Sequence, residues 1–375
     1  MIGFLEPRHE ALAREARARC AAMEARLEDE GDDAGLARRV AALGYYRYLL
    51  PAAYGGAFDS IDVRSVCVVR EELAYRNAAA DSVFAVQGLG AHPVVLAGSE
   101  ELRRELLPAA VDGRVLFAFA LTEPGAGSDV AALETSARRD GDGYVLNGEK
   151  RFISNAGVAT HYTVFARTDP GPRGITAFVV AAGAPGFKVR PRMHLLGDHP
   201  IAELELADCR VPVQARLGEE GRGLRLALAT LDVFRTTVGA AALGMARRAL
   251  DEAIAHSRSR HQFGAPLSAL QGVQFLLAES AVELEASRLL VLRAAAARDR
   301  GAERVTYEAA VAKLFATEAA QRIVDRALQI HGGNGVVRGH PVERLYRDVR
   351  ALRIYEGASE VQKLVIARHL LDVER

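Results

Sequence analysis

The sequence has no tryptophan, only three cysteines and no excess charge of either sign. Cys20, Cys67 and Cys209 lie far apart and form no CxxC pair, so neither a disulfide framework nor a thiolate metal site is expected. The 48 basic and 48 acidic side chains cancel, which removes the electrostatic reason to expect nucleic acid or an anionic membrane as partner. No apolar run approaches the roughly 18 residues that cross a bilayer. Met1 to Arg19 carries acids and bases throughout, in place of the apolar core of a secretory signal. The ten histidines show no HExxH and no ligand spacing, so no metal is inferred. GxGxxG and GxxxxGK[ST] are both missing, and neither common nucleotide fingerprint has support. A reducing cytoplasm is the expected compartment.

What is there suits a globular protein of several domains. At 375 residues, with half of them hydrophobic, the chain is long enough for two or three domains and an interior that buries an organic cofactor. Residues 1–118 have a helical texture, and Ser99 caps an apolar-periodic run that Pro108 is expected to stop. Over 119–219 the period changes. Asp140-Gly141, Asp142-Gly143 and Asn147-Gly148 read as hairpin turns around Tyr144-Val145-Leu146, and 175–180 and 202–206 read as strands. Over 220–375 long helices return, at Gln271 to Arg300 and Glu303 to Ile330, the latter closed by Gly332-Gly333. This segregation argues for an α+β multidomain protein, with helical domains flanking a small β domain.

Four segments carry residues suited to chemistry. In Pro124-Gly125-Ala126-Gly127-Ser128 the glycines let backbone approach a phosphate or ring, although such a turn also serves as mere punctuation. In Phe152-Ile153-Ser154 strand alternation puts Phe152 and Ser154 on one face, able to cover a flat ring or simply to be core and strand end. Arg260 falls near a helix C-terminus, where it could cap carbonyls or bind phosphate in pairs. Glu356 precedes Ser359-Glu-Val-Gln362, which reads as a capping box. The helix N-terminus would lower its pKa and burial would raise it.

Ala120-Leu-Thr-Glu-Pro-Gly-Ala-Gly-Ser-Asp129, Asn147-Gly-Glu-Lys-Arg-Phe-Ile-Ser154 and Tyr355-Glu356-Gly357, in that order and at those separations, resemble the acyl-CoA dehydrogenase family. The likeness runs end to end. It implies the acyl-CoA dehydrogenase fold: an N-terminal helical domain, a middle β domain and a C-terminal four-helix bundle. It implies FAD, with Leu121 and Thr122 at the pyrimidine end of the flavin and Ser128 on the phosphate or substrate side. Phe152 and Ser154 stand where relatives commonly carry Trp and Thr, against the isoalloxazine and its N5.

The matching Arg260, Phe263 and Gln271 would reach the FAD pyrophosphate and adenosine of a neighbouring subunit. Gln329, Gly332 and Gly333 form the second intersubunit segment, so the likeness implies a homotetramer. Glu356 becomes the base, and Arg235 polarises the site or holds Glu356. Phe234 occupies the position that carries the base in the isovaleryl branch, and it cannot accept a proton. Ala358 and Glu360 depart from the Thr and Gln commonly found there.

The implied activity is α,β-desaturation of an acyl thioester, with an electron-transferring flavoprotein as electron acceptor. The glutaryl branch shares Val86-Gln87 and His92-Pro93, but its carboxylate-binding Arg corresponds to Asp81, so a distal carboxylate is disfavoured. The expected acyl group is short, branched or cyclic. Gly88, Gly90 and Gly239 either widen the acyl pocket or let helices approach. A carrier-protein thioester is the alternative within this chemistry. Flavin monooxygenases and a DNA-associated protein share the fold; Glu356 speaks against the first and the neutral charge against the second.

Overall fold

The computed structural model describes residues 3–24, 32–171, 174–302 and 304–371. Glu303, where the second long C-terminal helix was expected to begin, lies outside them. The N-terminal part is helical: α1 (Pro7–Glu24), α2 (Asp33–Ala42), α3 (Val63–Arg76), α4 (Ala78–Ala97) and α5 (Glu100–Val111). The side chains of Asp32, Asp62, Asn77 and Ser99 accept from the backbone N–H groups of Gly35, Ser65, Ala80 and Leu102, satisfying donors that each first turn leaves free. Pro108 does not end α5, which runs on to Val111. The carbonyl that a proline ring leaves unbonded is that of Arg104, an exposed residue that water can serve, so the helix tolerates it.

The middle part is one twisted sheet of β1 (Phe117–Ala120), β2 (Ser136–Asp140), β3 (Gly143–Ser154), β4 (His161–Arg167), β5 (Ile175–Ala181), β6 (Phe187–Val189), β7 (Ile201–Pro212) and β8 (Arg216–Leu217). Its order is β6-β7-β3-β2-β4-β5-β8, with β1 parallel to β4. Asp140-Gly141-Asp142-Gly143 forms the β2–β3 hairpin, pairing Asp140 with Gly143. Asn147-Gly148 is no turn. It is a bulge inside β3, where the pairing with β7 shifts between Leu146 and Gly148. Gly148 has φ 150°, and a Cβ there would meet Thr135 at 2.6 Å, so only glycine fits. Asn147 Oδ1 accepts from the Asp208 N–H, and β7 thereby keeps both segments in one sheet.

The C-terminal part holds α6 (Gly223–Ser259), the two-residue strands β9 (His261–Gln262) and β10 (Ala265–Pro266), α7 (Gln271–Asp299), α8 (Thr306–His331), α9 (Pro341–Val349) and α10 (Ser359–Leu370). Helices α6, α7, α8 and α10 make a bundle, and α3 and α4 pack on α6 from the N-terminal side. By length and composition alone α6 could cross a membrane, but 72% of its most apolar window is buried inside the protein. It is the central helix of the core. Of Ala246, Leu250, Ala253 and Ile254, which the helical period places on one face, the first three are buried there and Ile254 is half-buried at its edge.

Three glycines permit close packing and do not open space. A Cβ at Gly88 would meet the Phe234 ring at 2.4 Å, one at Gly90 would meet Phe117 at 2.6 Å, and one at Gly239 would meet Val291 at 2.6 Å. Of the two roles left open for them, helix approach is the one realised. Gln87 is likewise structural: its amide donates to the Ala110 and Val115 carbonyls, and its oxygen accepts from Phe117 N, joining α4 to α5 and β1.

Candidate functional site

Glu356 sits in a left-handed turn, with φ 51°, and Gly357 follows at φ 92°. A non-glycine residue in that region costs of order 1 kcal/mol or more and persists only where its surroundings fix it. Three helices do so. Lys313 of α8 donates to the Gly357 carbonyl at 2.7 Å, Gln362 of α10 donates to the same oxygen at 2.8 Å, and Arg235 of α6 reaches the Glu356 carbonyl at 3.4 Å. Arg235 is itself held by Asp232 at 3.1 Å. The expected capping box does not form. Ala358 takes the cap position without a side-chain bond, while Ser359 Oγ donates to Glu318 on α8 at 2.6 Å. A carboxylate on the facing helix is the stronger acceptor, so the hydroxyl turns outward from its own helix.

Glu356 Oε2 is shielded from solvent and has no hydrogen-bond partner. Burial raises the pKa of this carboxyl above the ordinary range, against the pull of Arg70, Lys313 and Arg235, and Asp81 adds to the rise. Arg70 lies fully buried beneath the turn. Its Nε and Nη2 donate to the two Asp81 oxygens at 2.8 and 2.7 Å, and its Nη1 donates to Thr237 Oγ1 at 2.8 Å. Asp81 is therefore not the bare negative charge expected from the sequence. It is half of a bidentate pair, so what a distal substrate carboxylate would lack here is a free cation. Phe234 is fully buried against Gly88, with its ring edge-on to His92 at 5.8 Å.

The two glycine- and strand-borne segments meet. Arg151 N donates to the Thr122 carbonyl at 2.9 Å, and Lys150 Nζ donates to the Leu121 carbonyl at 3.3 Å. Lys150 also pairs with Glu123 at 2.6 Å, and Glu123 accepts from Glu134 N and Thr135 N as well. Burial would raise the Glu123 pKa, but Lys150 and these donors outweigh it and hold the carboxyl low. This buried pair locks the 121–128 loop to β3. Neither residue was assigned a role from sequence, because each sits among polar or charged neighbours and only packing brings the two together.

Phe152 (φ 56°) is half exposed, and the Arg151 guanidinium lies 5.0 Å from its ring centroid. It faces outward through a second bulge, between Lys150 and Ile153, and not by simple alternation. Ser154 Oγ lies 3.2 Å from His199 Nε2. Ser128 is exposed beyond the Glu123–Ala126 turn.

Family models match the three parts in order: the acyl-CoA dehydrogenase N-terminal domain at residues 6–114, the middle domain at 118–209 and the C-terminal domain at 221–371. The chain belongs to the acyl-CoA dehydrogenase family. It is 40% identical to the cyclohexane-1-carbonyl-CoA dehydrogenase of Geobacter metallireducens over 366 residues, covering 96% of each chain. The solved butyryl-CoA dehydrogenase of Megasphaera elsdenii superposes with a TM-score of 0.94 at 36% identity, over 99% of this chain and 100% of that one. A glutaryl-CoA dehydrogenase of Mycobacterium smegmatis, solved in complex with FADH2, superposes at 0.89 with 30% identity, over 99% and 96% of the two chains. Acyl-CoA dehydrogenases are FAD-dependent oxidoreductases, so FAD is the group this site must accommodate.

The remaining family-matched residues are exposed on the protomer, at one end of the bundle. Arg260 closes α6, and Phe263-Gly264 forms the tip of the β9–β10 hairpin with φ 54° and 79°. Phe263 is 92% exposed. An exposed aromatic ring held outward by a left-handed backbone is the kind of surface that suits a ligand or partner. Gln271 opens α7, and Gln329 lies in the last turn of α8 ahead of Gly332 and Gly333. The stacked rings of His256 and His331, 4.3 Å apart, join the α6 and α8 ends into one surface. Among the described residues no group of three His, Cys, Asp or Glu side chains could hold a metal ion.

Proposed function

We propose that the protein desaturates an acyl thioester between its α and β carbons, with Glu356 removing the α-proton. The observation that carries this reading is the buried, unpartnered Oε2 of a glutamate clamped in a strained turn. A buried carboxyl oxygen with no hydrogen-bond partner is open to a reacting proton, whereas a structural carboxylate would be bonded. Among the described residues nothing accepts from the Glu356 N–H. That donor is free to bind the thioester oxygen, which is where negative charge develops as the proton leaves. Arg235 and Lys313 hold the turn so that both groups stay in register.

The residues present fit FAD. Gly125 and Gly127 have open space where a Cβ would stand, Phe152 presents a half-exposed ring, and Ser154 offers a hydroxyl whose other side is met by His199. Bound FAD supplies the acceptor for the β-hydride. Leu121, Thr122, Phe152 and Ser154 would hold the ring and Ser128 the phosphate or substrate side. Arg260, Phe263, Gln271, Gln329, Gly332 and Gly333 would bind the dinucleotide of a second subunit in a homotetramer. Electrons would pass on to an electron-transferring flavoprotein. The acyl group would be short, branched or cyclic, because Phe234 fills the space beside Gly88 and the Arg70–Asp81 pair offers no free cation.

Anaerobic mixing of the yellow holoenzyme with butyryl-CoA and cyclohexane-1-carbonyl-CoA, followed at the flavin absorbance, tests the reading. Bleaching in the wild type that Glu356→Gln abolishes while retaining FAD is the expected result. Equal bleaching by both proteins removes Glu356 as the base.

A further inference from the structure

We propose that Lys313 is a positioning residue for Glu356: from α8 it holds the base-bearing turn by the Gly357 carbonyl and keeps a positive charge facing the carboxylate. The proposal rests on the reading of Glu356 as the base. Lys313 has no exposed surface, and burying an ammonium is costly unless it is used. Among the described residues its side chain makes one hydrogen bond, to Gly357 O at 2.7 Å. Two of its three N–H protons are therefore not engaged by any group among the described residues. Gly357 cannot be replaced as the anchor: its φ is 92°, and a Cβ there would meet Gln362 Nε2 at 2.4 Å.

The charges around the pair decide what removing Lys313 would do. Glu356 is faced by Arg70 on α3, Asp81 on α4, Arg235 on α6 and Lys313 on α8, with Tyr355 beside it, its pKa raised by burial and its hydroxyl sharing Arg70. Lys313 in turn is faced by Glu356, Arg235, Glu318 and Glu360, and burial brings its pKa down to about 8. Arg70 is bound to Asp81 and Arg235 to Asp232, so both of those cations are partly neutralised. Among the described residues Lys313 has no side-chain carboxylate within bonding distance, and the nearest charge it faces is that of Glu356. After Arg70, which is paired with Asp81, the Lys313 charge is the next to favour the ionised form of Glu356.

The test compares Lys313→Met, Lys313→Gln and Lys313→Arg holoenzymes with wild type. The substrate-free readout is the infrared band of the protonated Glu356 carboxyl, identified as the band that Glu356→Gln removes, titrated against pH. Loss of the charge in Lys313→Met and Lys313→Gln should move its midpoint to higher pH, and Lys313→Arg should restore it toward wild type. Bleaching by cyclohexane-1-carbonyl-CoA near neutral pH should slow by roughly tenfold for each pH unit of that movement, with FAD content unchanged. A Lys313→Met midpoint and bleaching rate equal to wild type would overturn the proposal. So would failure of all three variants to fold or keep FAD, which would assign Lys313 to the fold alone. Undiminished bleaching by Glu356→Gln would instead sink the base reading, and it is distinguishable because it is read in a variant that leaves Lys313 intact.

Discussion

Two buried carboxylates in this chain have opposite fates. Glu123 accepts from Lys150, Glu134 N and Thr135 N, and its pKa is held low. Glu356 has three cations around it, yet its Oε2 bonds to none of them and its pKa is raised. Burial is common to both, so burial does not separate a structural acid from a reactive one. The separation comes from where the donors point: in the first case at the carboxylate, in the second at the backbone carbonyls of its own turn. Arg235 and Lys313 thus hold the position of the Glu356 turn and leave Oε2 without a partner, as the proposed base requires.

The largest expected effect breaks that contrast at its reactive end. Glu356→Gln keeps the shape and removes the proposed base, which should cost about 10² to 10⁴ in the rate of flavin bleaching. The pH dependence carries the sign. With the pKa raised above the ordinary carboxylate range, the ionised base is lost at low pH, and wild-type bleaching should climb as pH rises through that raised value. Stability runs the other way. A carboxyl whose folded pKa is raised binds its proton more tightly when folded, so its contribution falls as pH rises from the unfolded value through the folded one. Glu356→Gln should therefore melt no lower than wild type at neutral pH, and a clear drop in Tm there would contradict the reactive assignment.

At the structural end, Lys150→Met leaves the Glu123 charge buried without its cation. Removing one partner of such a pair typically costs about 3 to 5 kcal/mol. Glu123 has a lowered pKa, so the stability it supplies is present above its unfolded pKa and is lost as pH falls through the folded one. Denaturant melts of wild type should thus weaken on acidification, and Lys150→Met should flatten that slope while lowering stability at neutral pH. A Lys150→Met protein as stable as wild type, with the same acid slope, would show that the loop is held by something else.

How far these features could be read from sequence depended on the distance their causes span. The α, β, α division, the Ser99 cap and the Asp140 to Gly143 hairpin are local, and each has the form that its residues prescribe. Pro108, Asn147-Gly148 and Ser359 carry equally strong local signals that their surroundings overrode: solvent access at Arg104, the β7 register and the Glu318 acceptor. The Glu123–Lys150 and Arg70–Asp81 pairs were invisible because each joins two elements whose packing no local pattern specifies. The strained φ of Glu356 and Phe263 was equally hidden, since neither residue type announces a left-handed backbone.

A smaller effect lies at the exposed end of the bundle. If Arg260 serves the dinucleotide of a second subunit, Arg260→Ala should weaken FAD retention by roughly 1.5 to 3 kcal/mol, the range for losing a hydrogen bond to a charged group. The melting temperature of the apoprotein should barely move, because Arg260 is exposed and its side chain makes no ion pair among the described residues. Equilibrium dialysis of FAD, with mass measured by light scattering, reads both consequences. Unchanged FAD affinity would confine Arg260 to closing α6.

The smallest effect concerns which acyl group is preferred, and it sharpens the contrast by asking what lies between the two carboxylates' surroundings. Phe234 occupies the volume beside Gly88, Arg70 is paired with Asp81 and bonded to Thr237, and the buried Lys313 charge already faces Glu356. A distal carboxylate would have to be buried unpaired, which is unfavourable, whereas a branched or cyclic hydrocarbon would not. Each methylene that fits contributes only about 0.8 kcal/mol, so the optimum should be shallow. The measurement is kcat/KM across butyryl, isobutyryl, cyclohexanecarbonyl, glutaryl and palmitoyl thioesters. Cyclohexanecarbonyl or a short branched chain should lead, and Gly88→Ala should depress all of them, because its added Cβ displaces Phe234. Glutaryl or palmitoyl ahead by roughly tenfold, about 1.4 kcal/mol of transition-state preference, would mean that Arg70 is released from Asp81 or that Phe234 swings aside when substrate binds.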